Sequence, residues 1–351
     1  MIKLAEPLPV AGPTASPEGP VPPERLGRNP ALDFTKGALV LVMVAYHTLN
    51  YFRYDVRLLR HLHFLPTSFI FIAGFLITHV YLAKVRAGDA HVYRRLLVRG
   101  LKTLVLFIAL NVAVHALFQT SYNRHLGLGV LAANLDAVFL SGEQRAAVFG
   151  VLLPIGYLLL LAAGLLRVAR SIPVALPVFG GGAFVACAIL AANGLLTFNL
   201  DLVSMGMLGM VAGFVSAARL DRLAVPLGAL ALAYAAYSLV VSIRYPTYLL
   251  NTAGVALSLL LLYALGRRFA GDGRIARQVT LLGNYSLLAY LLQIAALQAL
   301  FRLTRASGAL AGEVLAPLTI TVVATLLAVH AVDRARARSH RVDAAYRLVF
   351  A

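Results

Sequence analysis

Charged side chains are scarce. Asp, Glu, Lys and Arg make up 13% of the 351 residues against 60% hydrophobic, and mean hydropathy is +0.83. That balance excludes a water-soluble globule, in which about a quarter of the residues carry charge. Acids are scarcest, 14 Asp+Glu against 31 Lys+Arg. Few of them lie deep in apolar runs, Asp201 near a span start being the closest, so the carboxylate chain of a proton-coupled transporter is missing. Cysteine occurs once, as Cys187 inside an apolar run, which excludes an intrachain disulfide and leaves no zinc-site or thiol-relay spacing. The G-x-S-x-G elbow, the Walker-A loop and the H-E-x-x-H helix are absent. So are solenoid-length repeats and a convincing inverted repeat of the transporter kind.

What is present is a succession of apolar runs of about 20 residues, each long enough at 1.5 Å per residue to cross a hydrocarbon core of roughly 30 Å. The expected fold is an all-α, polytopic transmembrane bundle surrounded by membrane lipid. Ten spans are read at approximately 33–52, 64–84, 97–118, 146–166, 174–195, 199–217, 223–243, 247–266, 281–301 and 312–332. The apolar stretch 126–140 is short for a crossing and is read as an external interfacial or re-entrant segment. Residues 1–30 hold eight of the fifteen prolines and form a Pro-rich tail, 31–332 the membrane domain, and 333–351 a basic tail. The chain start lacks the pattern of a cleaved secretory signal, so the first apolar run is expected to stay as a membrane helix.

The cations sit between the apolar runs. With the N-terminus inside, 23 of the 31 Lys and Arg fall on the cytoplasmic side and 8 outside, the asymmetry that orients membrane proteins. Both termini are therefore expected in the cytoplasm. Counting 126–140 as a further crossing would leave 14 inside against 17 outside. This distribution also argues against nucleic acid as a partner, because phosphate contacts need clustered cations on one accessible surface.

Ionisable groups within spans are costly and mark candidate sites. Lys36 and His47 are eleven positions apart, which at 100° per residue returns to within about 20° of the same direction. They share one helix face about 16 Å apart along the axis, and Asp33, three before Lys36, is placed to pair with it. A neutral imidazole within a membrane cavity can take a proton from an alcohol. The plainer alternative is a histidine hydrogen-bonded across a helix contact. His115 and His330 sit nearer span ends, and the pair His61 and His63 lacks the third ligand of a metal site. The basic run HVYRRLLVRGLKTL brings Arg94, Arg95, Arg99 and Lys102 toward one side of an entering helix, which suits a phosphorylated ligand or an anionic lipid surface.

The segment NPALDFTKGALVLVMVAYHTLNYF resembles the opening helix of the acyltransferase-3 superfamily of integral membrane acyltransferases, with Leu32, Asp33, Lys36, Gly37 and His47 at the matching positions and Lys where many relatives carry Arg. FIFIAGFLI is similar to the aromatic-rich segment of the family, with Ala73 in place of the usual Ser before Gly74 and Phe75. LLGNYSLLAYLLQ resembles a later family helix through Gly283, Ser286, Tyr290 and Leu291, with Gln293 in place of a frequent histidine. VFGVLLPIGYLLLLAAGLL looks like a helix of the related subfamily that substitutes osmoregulated periplasmic glucans. The resemblance implies transfer of an acyl group, usually acetyl, from cytoplasmic acyl-CoA to a hydroxyl of a glycan or lipid-linked sugar, in a bacterial inner membrane and without a metal. Carried over, His47 is the catalytic histidine with Lys36 and Asp33 as companions. Arg94, Arg95, Arg99 and Lys102 are the candidates for the CoA phosphates, and Asn50, Ser286, Tyr290 and Gln293 for the acceptor side. A non-catalytic transporter or flippase-like protein is the rival from another class, and a family member that has lost activity is a third reading.

Overall fold

A computed structural model describes residues 29–117, 127–142, 147–214, 225–271, 273–305, 307–308, 310 and 312–350. The Pro-rich tail lies outside them except for its last two residues. Among the described residues the chain is helical throughout and has no strand. In chain order the helices are α1 Pro30–Thr48, α2 Val56–His61, α3 Leu65–Leu76, α4 Val92–Leu117, α5 Leu128–Ala133, α6 Leu152–Ser171, α7 Ala175–Ala192, α8 Phe198–Ala212, α9 Leu227–Ile243, α10 Tyr248–Phe269, α11 Gly273–Asn284, α12 Ser286–Arg305, α13 Leu315–Arg338 and α14 His340–Phe350. α1 runs on into a π-helical turn at Leu49–Arg53, and α3 into another at Ile77–Leu82 followed by Ala83–Arg86.

Among the described residues eight helical segments are long and apolar enough to cross a membrane, and α8 and α9 are shorter apolar helices. A helix therefore occupies each segment read as a span. The region expected as one span over 281–301 is two helices broken at Tyr285. α11 is amphipathic: Ala276, Val279, Leu282 and Gly283 are buried while Arg274 and Arg277 stay exposed. The 126–140 region is a short α-helix followed by a π-helical piece at Ala137–Ser141, both far too short to cross. It is tied down by Asn199 Nδ2, which donates to the Val138 and Phe139 carbonyls, and by the Tyr157 hydroxyl on Phe139 O at 2.8 Å.

Lipid tails are as apolar as the helices, so packing at close range rather than water exclusion holds such a bundle, and small residues permit the closest approach. α1 crosses α11 through Gly37 and Gly283. A Cβ built on Gly37 would stand 1.8 Å from the Val279 carbonyl oxygen, and one on Gly283 1.7 Å from that of Asp33. α3 crosses α8 in the same manner, Gly74 against Gly206 and Gly209 against Phe71. These two crossings hold α1 and α3, which carry the motif residues, against the rest of the bundle.

The start of α1, the Tyr285 break and α14 lie at one end of the bundle. Tyr285 donates to Asp333 at 2.6 Å and accepts from Arg336 at 3.0 Å. Arg336 in turn pairs with Asp343 at 2.7 Å and covers the Tyr346 ring at 3.9 Å from its centroid. The stretch read as a basic tail thus continues α13 to Arg338 and then folds back as α14.

Candidate active site

The site begins at the cap of α1. The Asn29 side chain accepts from the Ala31 and Leu32 amides at 3.0 and 3.3 Å and donates to the Tyr263 hydroxyl at 3.3 Å, and Pro30 occupies the first turn. With the helix start held, Asp33 is buried and pairs with Lys36 at 2.6 Å, as their spacing of three permits. Lys36 also reaches the wall of a cavity of about 200 Å³, whose lining includes Met43, Ala73, Ser286 and Tyr290.

His47 stands three turns further along α1. Its ring meets Tyr46 edge-on at 5.2 Å between centroids and Tyr290 at 6.5 Å. Its Nε2 atom is buried and has no hydrogen-bond partner among the described residues. Tyr290, itself braced edge-on by Phe149 at 6.2 Å, therefore lines the Lys36 cavity and neighbours the imidazole as well. One turn beyond it on α12, Gln293 is fully buried with neither amide atom partnered among those residues. Leaving such groups unsatisfied costs about 1–3 kcal/mol each, so a polar environment built this way is poised for a ligand or water.

A second cavity, of about 350 Å³, shares Ala73, Leu76, Ile155 and Leu287 with the first. Arg99 and Lys102 line it, with Tyr81 and with Val349 and Phe350 from α14. Arg99 donates to the Tyr81 hydroxyl. The two cavities adjoin, and Ala73, the position where the family pattern has Ser, sits in their common wall.

The four cations of the basic run do not act as one group here. Arg99 and Lys102, three apart on α4, face the cavity. Arg94 is exposed, and Arg95, one turn before Arg99, is exposed and paired with Asp89 of the preceding loop at 3.1 Å. The acceptor-side candidates also divide. Ser286 and Tyr290 line the Lys36 cavity, whereas Asn50 lies in the π-helical turn, hydrogen-bonded to Tyr46, and faces a separate polar cavity at the other end of the bundle. Tyr81 carries no motif signal, since it meets Arg99 only through the fold. Three other histidines have hydrogen-bond neighbours away from this site: His115 Nδ1 lies 2.9 Å from the Gly127 backbone, His330 Nε2 2.5 Å from Gln278 Oε1, and His61 Nδ1 3.1 Å from the Ser238 hydroxyl. Among the described residues no three His, Cys, Asp or Glu side chains converge as metal ligands would.

A family model described as an acyltransferase domain matches residues 29–332 of the chain. No curated protein and no solved structure matches it.

Proposed function

We propose, from the premise that this chain belongs to the acyltransferase-3 family of membrane acyltransferases, that it moves an acyl group, most simply acetyl, from acyl-CoA to a carbohydrate hydroxyl, in a bacterial inner membrane with the basic end of the bundle facing the cytoplasm. The observation that carries this reading is the pair of adjoining cavities that leads from Arg99 and Lys102 to Tyr290, beside the unpartnered Nε2 of His47. The two cations supply what the CoA phosphates need, and the apolar walls between them and Tyr290 suit the pantetheine arm and the acyl chain.

In this reading His47 is the general base. The acceptor hydroxyl gives its proton to Nε2 as its oxygen bonds to the thioester carbonyl carbon. The carbon–sulfur bond then breaks, and the departing thiolate takes the proton from the imidazolium, leaving an ester, free CoA and neutral His47. An acyl-histidine intermediate is the covalent variant of the same geometry. The Lys36–Asp33 pair holds the face of α1 that presents His47, and Lys36 places a positive charge on the cavity through which the thioester passes.

The test is acetyl-CoA binding and turnover by the purified protein with acceptor glycan extract. His47→Ala is expected to keep donor binding and to lose turnover by about 10²–10⁴-fold, the usual contribution of a positioned base. Arg99→Ala/Lys102→Ala is expected to raise Kd for acetyl-CoA, and Arg94→Ala to leave it near wild type. Wild-type protein that binds no acyl-CoA would sink the donor assignment and favour a transport role.

A further inference from the structure

At the end of the bundle opposite the Arg99 cavity, two further cavities meet. One, of about 330 Å³, has hydrogen-bonding groups in its wall: Tyr46, Asn50, Tyr54, Arg60, Thr67 and Tyr245. The other, of about 570 Å³, lies between α7, the start of α8 and the start of α10, and is walled largely by small and apolar residues, Ala188, Ala191, Ala192, Gly194, Leu196 and Leu249. His63 and Asp201 are common to both.

The shared pair is chemically conspicuous. Asp201 Oδ1 and His63 Nδ1 are buried and have no hydrogen-bond partner among the described residues, and Asp201 forms no ion pair among them. Asp201 stands in the first turn of α8, where the free backbone amides favour a carboxylate, so the fold keeps an acid there that it does not pair. His63 interacts with the Asn251 side chain, yet its Nδ1 and the Asp201 Oδ1 stay open, and each can take a hydroxyl of a vicinal diol, while the His63 and Tyr245 rings, 6.0 Å apart, offer apolar faces to a sugar ring. Tyr46, which lines the first of these cavities, meets the His47 ring edge-on at 5.2 Å between centroids. Beside the side cavity the surface is apolar and open: Leu195, Leu249 and Ile189 are 65%, 60% and 59% exposed. Those residues lie on segments flanking the gap between α7 and α10, where a lipid chain would enter sideways.

We propose that His63 and Asp201 form the holding site for the acyl acceptor, and that this acceptor is an amphiphile: a hydroxylated head in the polar cavity below His47 and an apolar chain in the side cavity between α7 and α10. This rests on the acyltransferase reading for its biological meaning, but it is a statement about binding and is tested as such. A free polysaccharide would have no use for the side cavity, and a plain lipid would leave the carboxylate and the imidazole unsatisfied.

The experiment measures binding of dodecyl β-glucoside and methyl β-glucoside to the protein in phosphatidylcholine nanodiscs, with acetyl-CoA binding measured on the same samples. Wild type is expected to bind the dodecyl compound at least tenfold more tightly than the methyl one. Ala191→Trp, which fills the side cavity, should remove that chain-length preference while leaving methyl glucoside affinity unchanged. Asp201→Asn and His63→Gln should weaken both glucosides by tenfold or more. All three variants should bind acetyl-CoA as wild type does, which shows that they are folded. Equal affinity of wild type for the two glucosides, failure to bind either, or an unaltered preference in Ala191→Trp would overturn the proposal. Loss of acetyl-CoA binding by wild type itself would count against the donor reading alone.

Discussion

Lys36 is the residue at which chemistry and stability are most tightly joined. Its ammonium is held 2.6 Å from a buried carboxylate while its stem lines the cavity that ends at Tyr290. Arg at this position keeps the charge and can meet Asp33 through two N–H groups, so Lys36→Arg is expected to retain or raise acyl transfer. Lys36→Met removes the ammonium held 2.6 Å from Asp33 in a place where water is scarce. Breaking such a pair costs on the order of 3 kcal/mol, so a lower melting temperature in detergent and loss of turnover should appear together. If Lys36→Arg were as inert as Lys36→Met, with both folded, the motif would have no live role in this chain. Gln293 sits at the same scale. Its buried amide replaces the family's frequent histidine, and its two unpartnered ends fit a group that orients a hydroxyl rather than one that carries a proton.

The α1–α11 crossing is the element that holds the site together. Gly37 and Gly283 let two backbones touch, and any Cβ there collides with a carbonyl oxygen that belongs to a helix and cannot step aside. Gly283→Val should therefore force the helices apart, at a cost of about 1–3 kcal/mol or more for overpacking, and should lower the yield of monodisperse protein in detergent; Gly271→Ala, where a Cβ meets nothing, serves as the control. The α13–α14 fold is held differently, by charge. The hydrogen bond from Arg336, reinforced by Arg347, holds the Asp343 carboxyl below the usual carboxylate range. A carboxyl depressed on folding stabilises the folded form above its unfolded pKa of about 3.9, and that contribution is lost as pH falls through the lower folded value. A spin label at Leu348 is expected to stay immobile at neutral pH and to become mobile only in acid below about pH 4, whereas Asp343→Asn should mobilise it at neutral pH. Because Val349 and Phe350 line the Arg99 cavity, release of α14 opens that cavity as well.

At the scale of the whole molecule the two ends of the bundle differ in kind. One gathers Lys36, Arg99, Lys102 and the basic α14; the other gathers the polar cavity of Asn50, His63 and Asp201. The acyl donor and acceptor are therefore expected to arrive from opposite sides. In sealed vesicles lacking Cys187, a cysteine at Arg94 should be labelled by an impermeant maleimide only from the cytoplasmic face and one at Tyr54 only from the other. Labelling with the two faces exchanged would reverse the charge-based orientation, and labelling of both from one face would overturn the placement of the two ends on opposite sides.

The helical membrane bundle, the family and the companionship of Asp33, Lys36 and His47 on one helix face were legible in the sequence, because hydropathy and the 100° helical step act along a single helix and need no partner. Motif glycines such as Gly37 and Gly283 were legible as residues but not as a contact. What only the tertiary structure decided are the pairings between helices distant in sequence: Gly37 against Gly283, Arg99 with Tyr81, and Tyr290 beside His47. It also decided which cations face a cavity. Spacing alone put Arg94, Arg95, Arg99 and Lys102 on one side of a helix, yet a loop carboxylate at Asp89 takes Arg95, and the packing of α3, α6 and α14 encloses only Arg99 and Lys102. His63 and Asp201 were visible as an isolated pair member and an isolated acid. They become a site because α3 and α8 cross on glycine and set their side chains on the wall of the same two cavities, a relation that no local pattern in the chain encodes.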